Sequence, residues 1–208
     1  VRIGYMATNF PGAPNHEAFR LGLRDFGYVE GKDIVIEWRY SESNPSRFPD
    51  LAADLVRNKV DLIVAPSPRA ALAAKGVTKT IPIVLSTSSP VELGLVDSLA
   101  RPGANVTGVT DISADLAGKR MELLKEVVPT LSRVAVLWPA VGLGSGFSFR
   151  ELQAPAKALR LELQSLEIQT PKLDFETAFA LASKERAGGI LVIGAPLFNP
   201  HWKRIADL

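Results

Sequence analysis

The sequence predicts an α/β protein of two lobes, each a parallel sheet flanked by helices. Three observations predict it. Short apolar runs, some continuous and some alternating, recur between stretches with helical periodicity. The segments joining them are short and rich in Gly, Pro, Asn and Ser. The alternation is interrupted around residues 105–113 and then starts again, so the lobes are read as 1–110 and 111–208.

Taken in order, residues 1–5 form a short apolar strand and 7–15 (ATNFPGAPN) a loop. A helix follows over 16–26, with Phe19, Leu21, Leu23 and Phe26 on its apolar face and Gly27 as its stop. Residues 34–40 (IVIEWRY) read as a strand, and 43–49 turn the chain. Leu51, Leu55 and Val56 mark a second helix. Residues 61–65 (DLIVA) are a continuous apolar run, as in a strand buried on both faces. Pro66-Ser67-Pro68 opens a third helix over 69–77, and 81–85 is a fourth strand. Strand and helix alternate as in a parallel sheet covered on both faces. In such sheets ligands sit beyond the carboxyl ends of the strands. Those ends are 7–15, 66–68 and 86–90, and all three carry small polar residues.

Residues 91–99 read as a helix closed by Arg101-Pro102-Gly103, and 105–110 as the extended crossing between lobes. A long amphipathic helix spans 114–128, with Leu116, Met121, Leu123, Leu124 and Val127. Strands follow at 133–138, 161–169 and 189–193, with helices at 147–159, 175–184 and from 199. Three strands would leave an exposed edge after 189–193. The second lobe is therefore expected to be truncated in this chain, or completed by a second copy.

Composition narrows the function classes. With 208 residues and 47% hydrophobic content, the chain is long enough for a sizeable core. A formal net charge of +2 and the lack of a dense Lys/Arg block argue against a nucleic-acid partner. The lack of cysteine excludes disulfides, thiolate metal sites and cysteine nucleophiles. No apolar run approaches the roughly 20 residues of a membrane span. The chain starts at Val1 inside a strand pattern, so its natural N-terminus is expected to lie upstream.

The run GLVDSLARPGANVTGVT at 94–110 resembles the hallmark of the ABC-transporter substrate-binding proteins of the tryptophan/tyrosine-binding type. The segments AFRLGLRDFGYVEGKDIVIEWRY (18–40), DLIVAPSPRAALAAKGVTKTIPIV (61–84) and KRMELLKEVVPTLSRVAVLW (119–138) resemble the same family. The resemblance implies two periplasmic-binding-protein-like lobes that clamp a small solute. It implies export to the periplasm or to an extracytoplasmic membrane anchor, delivery of the solute to ABC permease subunits, and a longer chain that completes the second lobe. Two departures lie near the expected cleft. Ser89-Pro90 stands where the family often has Asp-Pro, and Pro139-Ala140 stands where its loop often begins with Asn.

The candidate ligand-binding residues are Asn9, Phe10, Ser67, Ser86, Thr87, Ser88, Thr107, Trp138 and Phe147. Ser67 precedes the third helix, and Ser88 and Ser89 precede the segment read as the fourth. Hydroxyls and amides at two helix ends could hold a carboxylate without a basic side chain. The plainer reading is that these serines only cap helices. Asn9 and Phe10 could form one wall, or be turn residues of Asn-Phe-Pro-Gly. Trp138, Phe147 and Phe149 could offer an aromatic wall from the second lobe, or be core. Thr107 could line the hinge side.

Gly142 to Gly146 falls where a dinucleotide fingerprint would sit, but position 147 is Phe where the fingerprint has Gly, so a flexible loop is preferred. Asn105-Val106-Thr107 matches a glycosylation sequon and is read as structural. The histidines, His16 and His201, have no acid partner nearby in sequence, and no Ser-His-Asp order, HExxH or P-loop is present. No cofactor or metal is expected. The reading is a non-catalytic solute-binding component of an ABC importer that takes a small amino-acid-like ligand, with a homodimer through the second lobe as a further expectation. The alternatives are the effector-binding domain of a transcription regulator and a nucleotide-binding enzyme domain.

Overall fold

In the computed structural model of the protein the chain divides into two units, Val1–Asp111 and Ile112–Leu208. The structure describes residues 1–8, 10–42, 44–111, 116–140, 143–169, 172–195 and 197–208. Asn9 and the start of the helix expected over 114–128 lie outside the described residues.

The first unit runs β1 (Arg2–Ala7), α1 (Pro14–Asp25), β2 (Val35–Tyr40), α2 (Phe48–Arg57), β3 (Leu62–Ala65), α3 (Pro68–Val77), β4 (Ile83–Ser86) and β5 (Val106–Val109). The strands are all parallel, in the order β2-β1-β3-β4-β5. One face packs on α2 and α3, whose Phe48, Ala52, Leu55, Ala70, Ala71 and Ala74 meet Met6, Ile63, Ile83 and Val106 of the sheet. Phe48, Leu55 and Ile63 are fully buried, each contributing about 1.5–3 kcal/mol. The other face carries α1 through Phe19 and Leu23 over Ile3, Tyr5 and Ile36.

Two expectations change here. Residues 105–110, read as a crossing, supply β5, which closes the edge of the first sheet. Parallel pairing with β4 is a long-range contact that no local pattern signals. The helix expected over 91–99 does not form. The segment is a series of turns, with Leu93 N donating to Ser89 O, Gly94 N to Val91 O and Leu95 N to Pro90 O. Gly94 takes a left-handed φ of 65° and stops helical continuation after one turn. Leu95 and Val96 are buried all the same.

His16, on the first turn of α1, is fully buried, and neither ring nitrogen has a partner among the described residues. Tyr5, Trp38 and Tyr40 surround it at ring separations of 5.6, 5.1 and 5.7 Å. Burial first, and then the charge of Arg20, holds its pKa below the ordinary 6.5, against the opposite pull of Glu17. The unfolded chain takes up a proton here as pH falls through about 6.5, while the folded chain resists it. Stability present above that pH is therefore lost as pH falls towards the lowered folded value. Urea midpoints measured at pH 7.5 and 5.5 should fall less for His16→Leu than for the wild type. Equal falls would show that His16 is not the group responsible.

The second unit runs α4 (Ala117–Val127), β6 (Arg133–Pro139), α5 (Leu143–Glu151), α6 (Gln153–Ala158), β7 (Glu162–Ile168), α7 (Phe175–Lys184), β8 (Gly189–Val192) and α8 (Trp202–Asp207). Its strands are parallel in the order β7-β6-β8, which repeats β2-β1-β3 of the first unit. One face packs through Val134, Val136 and Leu191 on Met121 of α4, Leu152 and Ala156 of α6. The other packs through Ala135, Leu137 and Leu166 on α7 and on Phe198 and Ile205. The helix expected over 147–159 begins earlier, at Leu143, and breaks at Leu152. Pro155 lacks an N–H and cannot continue an α-helical ladder from the preceding turn. The Gly-rich stretch read as a loop thus lies largely at the start of α5.

Candidate functional site

Strand order locates the functional edge in each unit. In the first, the chain leaves β1 for β2 on one side and enters β3 on the other, so the crevice between β1 and β3 opens at their carboxyl ends. Thr8 and Phe10 follow β1, Ser67 follows β3, and Ser86 ends β4 with Thr87 and Ser88 beyond it. Neighbouring strands therefore bring Phe10, Ser67 and Ser86–Ser88 to one edge. Phe10 is 59% exposed there. Ser41, which the sequence reading missed, is fully buried and its hydroxyl donates to Thr8 O at 3.2 Å. It ties the end of β2 to the loop that carries Phe10.

Ser67 is the N-cap of α3. Its backbone is extended (φ −151°, ψ 153°), and its Oγ accepts from Ala70 N at 3.3 Å. The hydroxyl proton stays available to donate, so capping and ligand contact are compatible. Pro68 has no N–H and Ala70 N is taken by the cap, so the Arg69 amide is the donor this helix end has left. No acidic residue sits in the first turn, and the Arg69 side chain is exposed.

Ser88 and Ser89 do not begin a helix, so the expected second helix end is missing from this edge. Ser89 instead adopts a left-handed φ of 52°, immediately before Pro90. Thr87 N donates to Val109 O at 3.3 Å and its hydroxyl to Ser88 O at 3.4 Å, which fixes the loop. Thr107 lies inside β5, paired with Val84, and not on the carboxyl edge. It is exposed on the sheet face opposite Val106.

The second unit repeats the arrangement at the ends of β6 and β8. Trp138, next to last in β6, is half-buried. Its Nε1 donates to Ser165 Oγ at 2.9 Å, and its ring stacks on Phe149 (5.2 Å, 16°). Phe147 does not share that stack. Its ring lies 5.8 Å from the guanidinium carbon of Arg150. One surface depression, at Arg20, Tyr28 and Glu30, lies away from the carboxyl ends. Another, at Leu123, Val127 and Ile190, runs along β8 to its last residue, Val192. No group of three or more metal-ligating side chains occurs among the described residues.

Residues 15–194 match the family of ABC transporter substrate binding proteins. The chain belongs to that family. Its members are solute-binding proteins and not enzymes. The chain is 34% identical over 156 residues to a tyrosine-binding protein of Clostridioides difficile, covering 74% of this chain and 44% of that one. A conserved domain protein of Vibrio cholerae shares 27% identity with a TM-score of 0.76, over 91% of this chain and 64% of that one. An ABC domain from Streptococcus pneumoniae, solved in complex with L-Trp, superposes with a TM-score of 0.76 at 23% identity, over 99% of this chain and 69% of that one. That last likeness bears on the fold alone. The chain spans under half the length of the curated relative it matches. Among the described residues no helix is long and apolar enough to cross a membrane.

Proposed function

We propose that this chain holds the solute for an ABC import system, binding a small amino-acid-like ligand with an aromatic or apolar side chain between its two lobes. The protein delivers that ligand to a membrane permease from the periplasm or an extracytoplasmic anchor. The observation that carries the reading is the contrast between the two carboxyl edges. The first offers the hydroxyls of Ser67, Ser86, Thr87 and Ser88 and the helix-end amide of Arg69. The second holds Trp138, half-buried against the core of its unit and stacked on Phe149. A zwitterion with an aromatic side chain has one end for each wall. The tyrosine-binding relative supports that ligand class. Phe10 adds an apolar edge, Asn9 belongs to the same loop, and Phe147 is a flanking contact in this reading, whereas Thr107, inside β5, is left out of it.

Closure is a hinge rotation, driven by contacts that exist only when both walls meet the ligand. L-tyrosine at about 100 times its dissociation constant should stabilise the folded chain by about 2.7 kcal/mol in urea denaturation. The Ser67→Ala/Ser88→Ala double variant should bind about tenfold or more weakly, since each lost hydrogen bond is worth about 0.5–1.5 kcal/mol. Unchanged affinity in that variant would remove the hydroxyl edge from the site.

A further inference from the structure

We propose that Ser165 is the positioning residue for Trp138. Its hydroxyl takes up the indole N–H, so that the second unit meets the ligand with ring surface alone. The inference rests on the functional reading above and narrows the ligand chemistry that this wall accepts.

Indole has one hydrogen-bond donor and no acceptor. In Trp138 that donor is already spent on Ser165 Oγ, at 2.9 Å. The partner comes from the neighbouring strand: β7 pairs with β6 so that Ser165 stands opposite Val136, two residues before the tryptophan. One ring face is covered by Phe149 in a near-parallel stack. The six-membered ring lies 3.8 Å from where a Cβ on Gly146 would stand, so a side chain longer than a methyl there would press on it. Ring orientation is thus fixed by a hydrogen bond on one edge and an aromatic neighbour on one face, while Trp138 stays half-buried.

A tryptophan held this way cannot donate to a ligand oxygen. It discriminates by dispersion and stacking, which favours a planar apolar group. Ser165 is itself exposed, and its one side-chain bond among the described residues is to the indole. Its removal should therefore leave the fold intact while releasing the ring.

The test uses the 208-residue chain with ¹⁵N-labelled tryptophan. Its three indole resonances, from Trp38, Trp138 and Trp202, are assigned by single Trp→Phe variants. Ser165→Ala should shift the Trp138 Nε1–H resonance and speed its exchange with solvent, while leaving Trp38 and Trp202 in place. In calorimetric titration with L-tyrosine it should bind about three- to tenfold more weakly. Ser165→Thr, which keeps the hydroxyl, should restore both the resonance and the affinity. A Trp138 resonance that does not move in Ser165→Ala overturns the proposal, and so does a moved resonance with wild-type affinity. If the wild type itself gives no heat with L-tyrosine, the functional reading fails and takes the ligand part of this inference with it. The resonance shift then still decides whether Ser165 holds the ring.

Discussion

Gly108→Ala is expected to lower the unfolding free energy by about 3 kcal/mol or more. Gly108 sits in β5 at φ 151°, a conformation that side-chain-bearing residues rarely adopt. A Cβ there would stand 2.0 Å from Leu85 O and 2.7 Å from Leu85 N. Both are backbone atoms of the strand with which Gly108 pairs, so no flexible side chain can move aside. Relief requires β5 to leave β4. That breaks the bonds from Ile83 N to Asn105 O and from Thr87 N to Val109 O, and uncovers Val106, which is 3% exposed. Because β5 also anchors the loop bearing Ser86 to Ser88, ligand affinity should fall with stability. Urea denaturation followed by tryptophan fluorescence reads the change. A midpoint within error of the wild type would mean that β5 is not held as described.

Phe175→Ala is expected to cost about 3–5 kcal/mol, the range for emptying a fully buried phenylalanine site. Phe175 is the first residue of α7, placed by the Asp174 cap, whose carboxylate accepts from Thr177 N at 3.0 Å. Its side chain is fully buried against the second sheet. Phe198 meets it edge-on at 5.5 Å, and the Arg204 guanidinium lies 5.2 Å from the ring centroid. Arg204 is in turn paired with Glu176. One ring therefore joins α7, α8 and the segment between β8 and α8 to the sheet. Phe175→Leu should cost clearly less, since it keeps most of the apolar volume. Equal losses for the two variants, measured by urea denaturation, would point to a disturbed helix start instead of a cavity.

Much of the fold was legible because its signals are local. The continuous run at β3, the alternation at β2 and the Pro and Gly punctuation around them are properties of short windows. What failed was decided at long range or by backbone conformation. Val91, Leu95, Val96 and Leu99 have the spacing of a helix face, yet Gly94 and Ser89 take left-handed conformations, and turns bury only Leu95 and Val96 while Val91 and Leu99 stay exposed. β5 was missed as a sheet strand because its partner lies across a loop of some twenty residues.

The site divides along the same line. Ser67 was legible as a cap because capping is set by the next three residues, and the place of Trp138 because it lies near the end of a strong strand. The hold of Ser165 on Trp138 depends on the register between β6 and β7, which the sequence does not display. The burial of His16 depends on rings supplied by two strands, Tyr5 from β1 and Trp38 and Tyr40 from β2.

The most direct test of the central claim is native mass spectrometry of the purified chain titrated with L-tyrosine. A single adduct with the mass of one amino acid per chain is expected, rising to saturation in the wild type and weakened in the Ser67→Ala/Ser88→Ala variant. A bare chain mass at every L-tyrosine concentration, under conditions that keep the fold, would contradict it.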